Sequence, residues 1–272
     1  MTVEALLPVI WLIGGTSEAP MLARKLIELN YRLVVTTTTS EGANLLRSHD
    51  VKVQIGALNR DGMEDLITEE GIQLVVDASH PYATLVSENA MAVCARLDLL
   101  YIRFERPELD LPTDPLIRQV STMEAAANLA FELGSTVFTT IGVKDLAVFV
   151  QKRDILRNGG QENIRLIAKV LPALSSIQTC QDLGLELKDV FAMYGTVSTS
   201  FYQEIIREYK IDVMISKESG ETGGVLEKIE ACLALEKPLI IVSRPKLQYL
   251  ELVSSLVDLE DKLEKVGAKC QK

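Results

Sequence analysis

The sequence predicts an α/β protein made of two similar domains, each with its own parallel sheet. Short β-rich runs alternate with helical stretches, which is typical of βαβ units. This alternation restarts in the second half of the chain. With 272 residues, the chain is also long for one compact domain and comfortable for two.

Five candidate strands lie in each half. Those of the first half are VIWLIG, RLVVTTT, VKVQIG, LVVDAS and YIRFERP, and those of the second are TVFTTIG, IRLIAKVLP, VFAMYG, DVMISKES and LIIVSRP. The segments between strands, such as SEAPMLARKLIEL and GGVLEKIEACLAL, repeat their apolar residues every three or four positions. That spacing predicts helices.

Landmarks at the strand ends recur in the same order in both halves. They pair Gly14 with Gly142, Gly56 with Gly195, Asp77 with Ser216, and Arg106-Pro107 with Arg244-Pro245. The steps from Gly56 to Asp77 and from Gly195 to Ser216 are both 21 residues. Any two doubly wound domains share part of this rhythm, so the match favours a duplication without requiring one. The stretch ELDLPTDPL predicts a boundary that gives domains at 1–112 and 113–272.

The charge and the cysteines exclude several kinds of protein. Lys and Arg number 28 against 38 Asp and Glu, so nucleic acid is not an expected partner, although a local cationic cluster can still bind an anion. The four cysteines form no CxxC pair, which argues against a zinc site and indicates a reducing, cytoplasmic setting. The opening MTVEALLPVIWLIGG resembles neither a signal peptide nor a membrane span. We expect a monomer or a weak homodimer.

Ligands bind open parallel sheets at the carboxyl ends of the strands, so residues at strand ends are the candidates. GGTSEA follows the first strand and precedes a helix, where glycines and hydroxyls suit a phosphate, although a capped turn has the same composition. The second strand ends in VVTTTTSEG, without the early acid that holds the ribose of NAD. This favours NADPH, with Arg47 the nearest cation in the sequence, but threonines are also good strand formers.

VVDASHPYA runs from the predicted fourth strand into the segment that follows it and contains one of the two histidines. His80 can titrate near neutral pH and Tyr82 can donate a hydrogen bond. The alternative is a helix start, with Ser79 as the cap and Pro81 in the first turn.

SKESGETGG occupies the corresponding place in the second half. Lys217 and three glycines predict an anion pocket there, and a flexible glycine loop is the alternative. Arg103, Arg106, Arg244 and Lys246, in RFERP and SRPK, can pair with carboxylates, or simply lie in solvent. No HExxH, P-loop, nucleophile elbow or Cys–His pair is present, so hydrolase and kinase functions lack support.

Taken together, GGTSEA, VVDASHPYA, IRFERP, VFTTIGVKDL, KESGETGG and VSRP resemble the precorrin-6A reductase family, which includes the cobalt-precorrin-6A reductases. The motifs run in order from about residue 10 to residue 245. The resemblance implies two similar Rossmann-like domains with parallel sheets facing an interdomain cleft. It implies that domain 1–112 binds a nicotinamide cofactor, NADPH with NADH possible, and that 113–272 contributes to the substrate cleft.

The implied reaction transfers a hydride to a ring carbon of a tetrapyrrole-derived macrocycle and adds a proton to the neighbouring carbon, within cobalamin biosynthesis. The implied catalytic residues are His80 and Tyr82. The implied cofactor contacts are Gly14, Gly15, Thr16, Ser17, Glu18, Thr37, Thr38 and Ser79. The implied substrate contacts are Arg103, Arg106, Lys144, Lys217, Ser219, Gly220, Gly223, Gly224 and Arg244. No metal site is expected, and the alternatives are a two-lobed ligand-binding protein and a nucleotide-dependent transferase.

Overall fold

The computed structural model describes residues 8–38, 43–44, 51–220 and 223–270. The chain divides into two compact units. The first unit runs to Pro107 and is completed by the segment that begins at Pro245, and the second unit is Glu108–Arg244. Among the described residues, no helix combines the length and the apolar character that crossing a membrane requires.

The first unit is a parallel sheet flanked by helices. Its strands are β1 (Val9–Gly14), β2 (Arg32–Thr37), β3 (Lys52–Ile55), β4 (Ile72–Ala78), β5 (Leu100–Phe104) and β12 (Leu252–Val253). Its helices are α1 (Ala19–Glu28), α2 (Arg60–Glu70), α3 (Thr84–Arg96) and α9 (Leu256–Cys270). The strand order is β12-β5-β4-β1-β2-β3, and every neighbouring pair is parallel.

Strand β1 shows why the first sheet is buried on both faces. Ile10 and Leu12 pack into one apolar cluster, while Trp11 and Ile13 pack into a second. Alternate residues of a strand point to opposite faces, so the two clusters lie on the two faces of the sheet. A continuous apolar run such as VIWLIG is therefore typical of a strand with helices on both faces.

The second unit repeats this architecture. Its strands are β6 (Ile117–Val120), β7 (Thr136–Thr139), β8 (Arg165–Val170), β9 (Val190–Ala192), β10 (Val213–Lys217) and β11 (Leu239–Val242). Its helices are α4 (Met123–Leu133), α5 (Leu146–Asn158), α6 (Leu174–Asp182), α7 (Thr199–Glu208) and α8 (Val225–Ala234), with a 3₁₀ turn at Leu187–Asp189. The strand order is β6-β11-β10-β7-β8-β9, again all parallel.

The two sheets share one topology, which confirms the predicted pair of similar α/β domains. The edge strands β12 and β6 are left out of this comparison, and the other five strands of each unit are numbered along the chain. Both sheets then have the order third, second, first, fourth, fifth. The connection reverses direction between β1 and β4 in the first sheet and between β7 and β10 in the second. In such folds the ligand site lies outside the carboxyl ends of the strands at this switch point.

The sixth strand of each sheet comes from the segment that has just crossed between units. Strand β6 follows Pro107, and β12 follows Pro245. Strand β12 pairs with β5, and Leu259 and Leu263 of α9 belong to the same apolar cluster as Ile10 of the first unit. The division therefore differs from the predicted 1–112 and 113–272, because the apolar residues after Pro245 bury themselves in the first core.

Candidate functional site

Three of the predicted motifs meet at the carboxyl edge of the first sheet. GGTSEA follows β1, SHPYA follows β4, and RFER ends β5. A small pocket there is lined by Thr16, Glu18, Ser79, Pro81, Arg103, Phe104, Glu105 and Arg106. The convergence follows from the topology, since β1, β4 and β5 are neighbours with a common direction.

The loop after β1 lies directly against the loop after β4. A Cβ on Gly15 would come within 3.1 Å of the His80 backbone nitrogen and 3.2 Å of the Ser79 Cα. The Thr16 hydroxyl donates a hydrogen bond of 3.1 Å to the carbonyl of Ala78. Glycine at position 15 therefore permits a close approach of the two loops, which a larger residue would push apart by a few tenths of an ångström.

The amino end of α1 combines an exposed loop with an ion pair. Gly15 and Ser17 are exposed, and Arg106 Nη1 lies 2.8 Å from Glu18 Oε1. Burial raises the pKa of Glu18, but hydrogen bonds from Arg106 and Thr16 outweigh it, and the pKa lies below the ordinary value. Glu18 is therefore ionised at neutral pH and is balanced by the guanidinium.

A buried carboxylate organises the end of β4. Asp77 is fully buried, and its Oδ1 accepts from the Ser79 amide at 2.8 Å and lies 3.0 Å from Arg103 Nη1. Its Oδ2 accepts from the hydroxyls of Ser87 at 2.6 Å and Tyr101 at 2.5 Å. Both oxygens are thus satisfied by groups on β5, on α3 and in the loop after β4, which fixes that loop.

Arg103 is a supporting residue in this structure. It is fully buried, donates through Nε to Glu105 and through Nη1 to the Ser79 hydroxyl, each at 3.0 Å, and lies 5.4 Å from the centre of the Tyr249 ring. Burial, and then the Asp77 charge, raise the pKa of Tyr101, so this phenol stays protonated and can donate to Asp77. The sequence offered one signal for this network, an aspartate within the apolar run of β4.

His80 lies in a turn that precedes α3. The helix begins at Thr84, and the turn is closed by a 2.7 Å hydrogen bond from the Ala83 amide to the His80 carbonyl. Ser79 is consequently not a helix cap, and Pro81 is not in the first helical turn, because Asp77 and Arg103 bind Ser79 instead.

The His80 ring accepts a hydrogen bond through Nδ1. The donor is the Tyr82 amide, at 3.3 Å, and the centres of the two rings lie 5.6 Å apart. A neutral His80 therefore carries its proton on Nε2, which makes that nitrogen a donor.

The end of β2 presents hydroxyls. Thr36 accepts a 2.9 Å hydrogen bond from the Trp11 indole, Thr37 is buried, and Thr38 is exposed. Among residues 36–38 there is no acid to hold a ribose 2′-hydroxyl. The rest of this motif and Arg47 lie outside the described residues.

The predicted cations of the second unit are mostly paired with acids. Lys217 Nζ lies 2.6 Å from Asp145 Oδ2, and Arg244 forms a buried ion pair with Glu218. Lys144 is exposed beside Asp145. These pairs reduce the charge that Lys217 and Arg244 can offer to a ligand.

Three positions in the loop after β10 require glycine. Gly220 and Gly224 have φ of 72° and 71°, in the left-handed region, and a Cβ on Gly223 would overlap the Ser219 hydroxyl. The Gly220 amide donates to Glu218 Oε1 at 3.0 Å. The loop conformation thus depends on the residues that the sequence singled out.

The two units contain a similar ion pair. Asp77 and Arg103 are 26 residues apart, as are Glu218 and Arg244. Each carboxylate also accepts a hydrogen bond from the amide two residues further along. The same kind of ion pair therefore fixes the loop that follows β4 in the first unit and the loop that follows β10 in the second. This correspondence of Asp77 with Glu218 is closer than the predicted correspondence of Asp77 with Ser216.

Replacing Arg103 by Met should destabilise the first unit by about 3–5 kcal/mol, since Asp77 would be left buried without its cation. Unfolding in urea, followed by fluorescence of the single tryptophan, Trp11, reports on this unit. The control is Arg32→Met, which removes an exposed arginine of β2 and should cost at most about 1 kcal/mol. Equal losses for the two variants would contradict the structural role of Arg103.

The chain is similar to known proteins over most of its length. A family model described as "Precorrin-6x reductase CbiJ/CobK" matches residues 9–264. A cobalt-precorrin-6A reductase of Priestia megaterium is 36% identical over 250 residues, which are 92% of this chain and 96% of that protein. Another, of Methanocaldococcus jannaschii, is 37% identical over 239 residues, 88% of this chain and 91% of that protein. A solved CobK precorrin-6A reductase structure, 22% identical, covers 95% of this chain and 97% of its own with a TM-score of 0.75, which supports the fold.

Proposed function

We propose, since the chain belongs to the CbiJ/CobK precorrin-6x reductase family, that it reduces one double bond of the precorrin-6A macrocycle in its cobalt-loaded form. The observation that carries the proposal is the convergence of Gly15, Thr16 and His80 at one strand-end edge of a doubly wound sheet. The cobalt form is preferred because four relatives with 35–37% identity are named for it.

The residues at this edge fit a nicotinamide dinucleotide. Gly15 and Ser17 are exposed at the amino end of α1, where amides and the helix dipole favour a phosphate. The close fit around Gly15 brings the loop after β1 against the loop after β4 at this end of the helix. A bound reduced nicotinamide supplies the hydride for this reaction.

NADPH is the proposed form of the cofactor. Thr37 and Thr38 end β2 with hydroxyls, and residues 36–38 include no carboxylate that would repel a 2′-phosphate. Arg106 lies at the same edge but is paired with the ionised Glu18, so the preference for NADPH rests on the residues that end β2. We assign Gly14 through Glu18, Thr37 and Thr38 to the cofactor, with Ser79 supporting the adjoining loop.

His80 is the proposed proton donor for the carbon next to the one that receives the hydride. In the neutral ring Nε2 carries the proton, since Nδ1 accepts from the Tyr82 amide, and Nε2 can therefore donate a hydrogen bond to the substrate. Delivery of a proton to carbon requires the imidazolium form, because loss of a proton from the neutral ring would leave an imidazolate. The Tyr82 hydroxyl is the second candidate. In the second unit, Lys144, Lys217, Ser219 and the glycines at 220, 223 and 224 are assigned to the substrate, whereas the buried arginines 103 and 244 support the loops that carry such contacts.

The proposal is tested by mixing the purified protein with NADPH and cobalt-precorrin-6A as the only acceptor. We expect NADPH absorbance to fall in step with formation of the reduced macrocycle. NADH and metal-free precorrin-6A serve as comparison substrates and should give lower kcat/KM. A protein that binds neither nicotinamide, or that oxidises none in the presence of either macrocycle, is not this reductase.

Replacing His80 by Ala should lower kcat by about 100-fold or more, because general acid catalysis is lost, while the Kd for NADPH changes by less than about twofold. His80→Asn is the matched control, because its amide oxygen can replace Nδ1 as acceptor for the Tyr82 amide without supplying a proton. If the Asn variant regains wild-type turnover, His80 only positions the turn and the proton comes from another group.

A further inference from the structure

We propose that Lys169 and Lys228 form an anion-binding subsite at the carboxyl edge of the second sheet and that it takes a carboxylate group of the substrate. Lys169 is the penultimate residue of β8, and Lys228 lies in the first turn of α8, which follows β10. Neither residue stood out in the sequence. The assignment of the anion to a macrocycle rests on the proposed function.

The two ammonium groups have neutral partners. Lys228 is buried and donates to the Ser216 hydroxyl at 3.0 Å and more weakly to the Gly223 carbonyl at 3.5 Å. Lys169 donates to the Gly195 carbonyl at 2.9 Å. Within the described part of the chain, neither lysine forms an ion pair with a carboxylate.

This arrangement contrasts with the other cations at the strand ends. Arg103, Arg106, Lys217 and Arg244 each have an acid of the chain as partner. A buried cation without an anion is costly, and a second cation nearby increases the cost. Glu227 is the one carboxylate that acts on Lys228 through its charge, and it makes no ion pair with it among the described residues. In a protein with 38 acids and 28 basic side chains, we assign two lysines whose ammonium groups donate only to neutral acceptors to an external anion.

The charges around Lys228 agree with this explanation. Burial, followed by the charge of Lys169, lowers the pKa of Lys228 to about 8, while Glu227 and Cys232 act in the opposite direction. The ring of Tyr202 lies 6.0 Å from the Lys228 ammonium group and is neutral, because burial raises the pKa of Tyr202 to about 12. Lys228 is therefore mostly protonated at neutral pH, and anion binding should weaken as the pH rises through about 8.

The surface beside Lys169 suits the apolar body of a macrocycle. Leu171 and Leu174 follow β8 and are 55% and 89% exposed, and Tyr194 follows β9 and is 68% exposed. Tyr194 precedes Gly195, whose carbonyl binds Lys169. Large apolar side chains exposed beside a cationic pair match a ligand with an apolar ring and carboxylate substituents.

Steady-state kinetics of Lys169→Met and Lys228→Met test the proposal. Each loss of a charge-assisted contact should raise the KM for the macrocycle about 10- to 100-fold, with kcat and the Kd for NADPH changed by less than about threefold. Lys169→Arg should retain most of the affinity. The control is Lys237→Met, a half-buried lysine just before β11 at the opposite edge of the same sheet, which should leave KM unchanged.

A binding measurement separates this proposal from the reductase assignment. Uroporphyrin, a tetrapyrrole rich in carboxylates, is titrated without cofactor and followed by its fluorescence. Weaker binding in the Lys169 variant than in the Lys237 variant supports the subsite even if the protein reduces no macrocycle. The subsite proposal is overturned if Lys169→Met has both an unchanged KM for the macrocycle and an unchanged affinity for uroporphyrin. The result for Lys169→Met is decisive even if Lys228→Met fails to fold.

Discussion

The candidate site depends on the ion pair between Asp77 and Arg103. Both residues are fully buried, and the carboxylate also accepts from the Ser79 amide and from two hydroxyls. Removing such a pair from water is costly, and the cost is offset only when every oxygen and N–H finds a partner. Because those partners come from β5, from α3 and from the loop after β4, satisfying Asp77 also positions His80 beside Gly15.

The same solution appears in the second unit, where Glu218 and Arg244 fix the loop after β10. Both units thus use an internal ion pair to shape a strand-end loop and leave other groups available for ligands. The carboxyl edges of the two sheets differ in the chemical groups that they present to a ligand. The first edge offers a glycine loop and an imidazole, and the second offers Lys169 and Lys228, whose ammonium groups donate to neutral acceptors among the described residues.

Much of this could be predicted from the sequence. Strand β1 is a continuous apolar run and β4 is mostly apolar and buried, and the landmarks at their ends predicted that GGTSEA and SHPYA lie at one edge. Strands β6 and β12 could not be predicted from the sequence, because they are short, partly exposed and formed through pairing with a neighbouring strand. The start of α3 at Thr84 also depends on a tertiary contact, the binding of Ser79 by Asp77 and Arg103.

The roles of individual cations could not be predicted from sequence. Arg103 and Arg106 stand three residues apart in RFERP, yet one is fully buried and the other lies at the edge. Lys228 resembles any lysine on an amphipathic helix until the fold buries it against the Ser216 hydroxyl at the end of β10. Burial and ion pairing are properties of the packed structure, and local sequence carries little information about them.

The central claim is that the carboxyl edge of the first sheet binds the nicotinamide cofactor through the loops after β1 and β4. Hydrogen–deuterium exchange with and without saturating NADPH tests it directly. We expect slower exchange in peptides that contain Gly15–Glu18 and Ser79–Ala83, with no change in peptides from the amino edge of the same sheet. Protection confined to the second unit, or absent from both loops, would contradict the account.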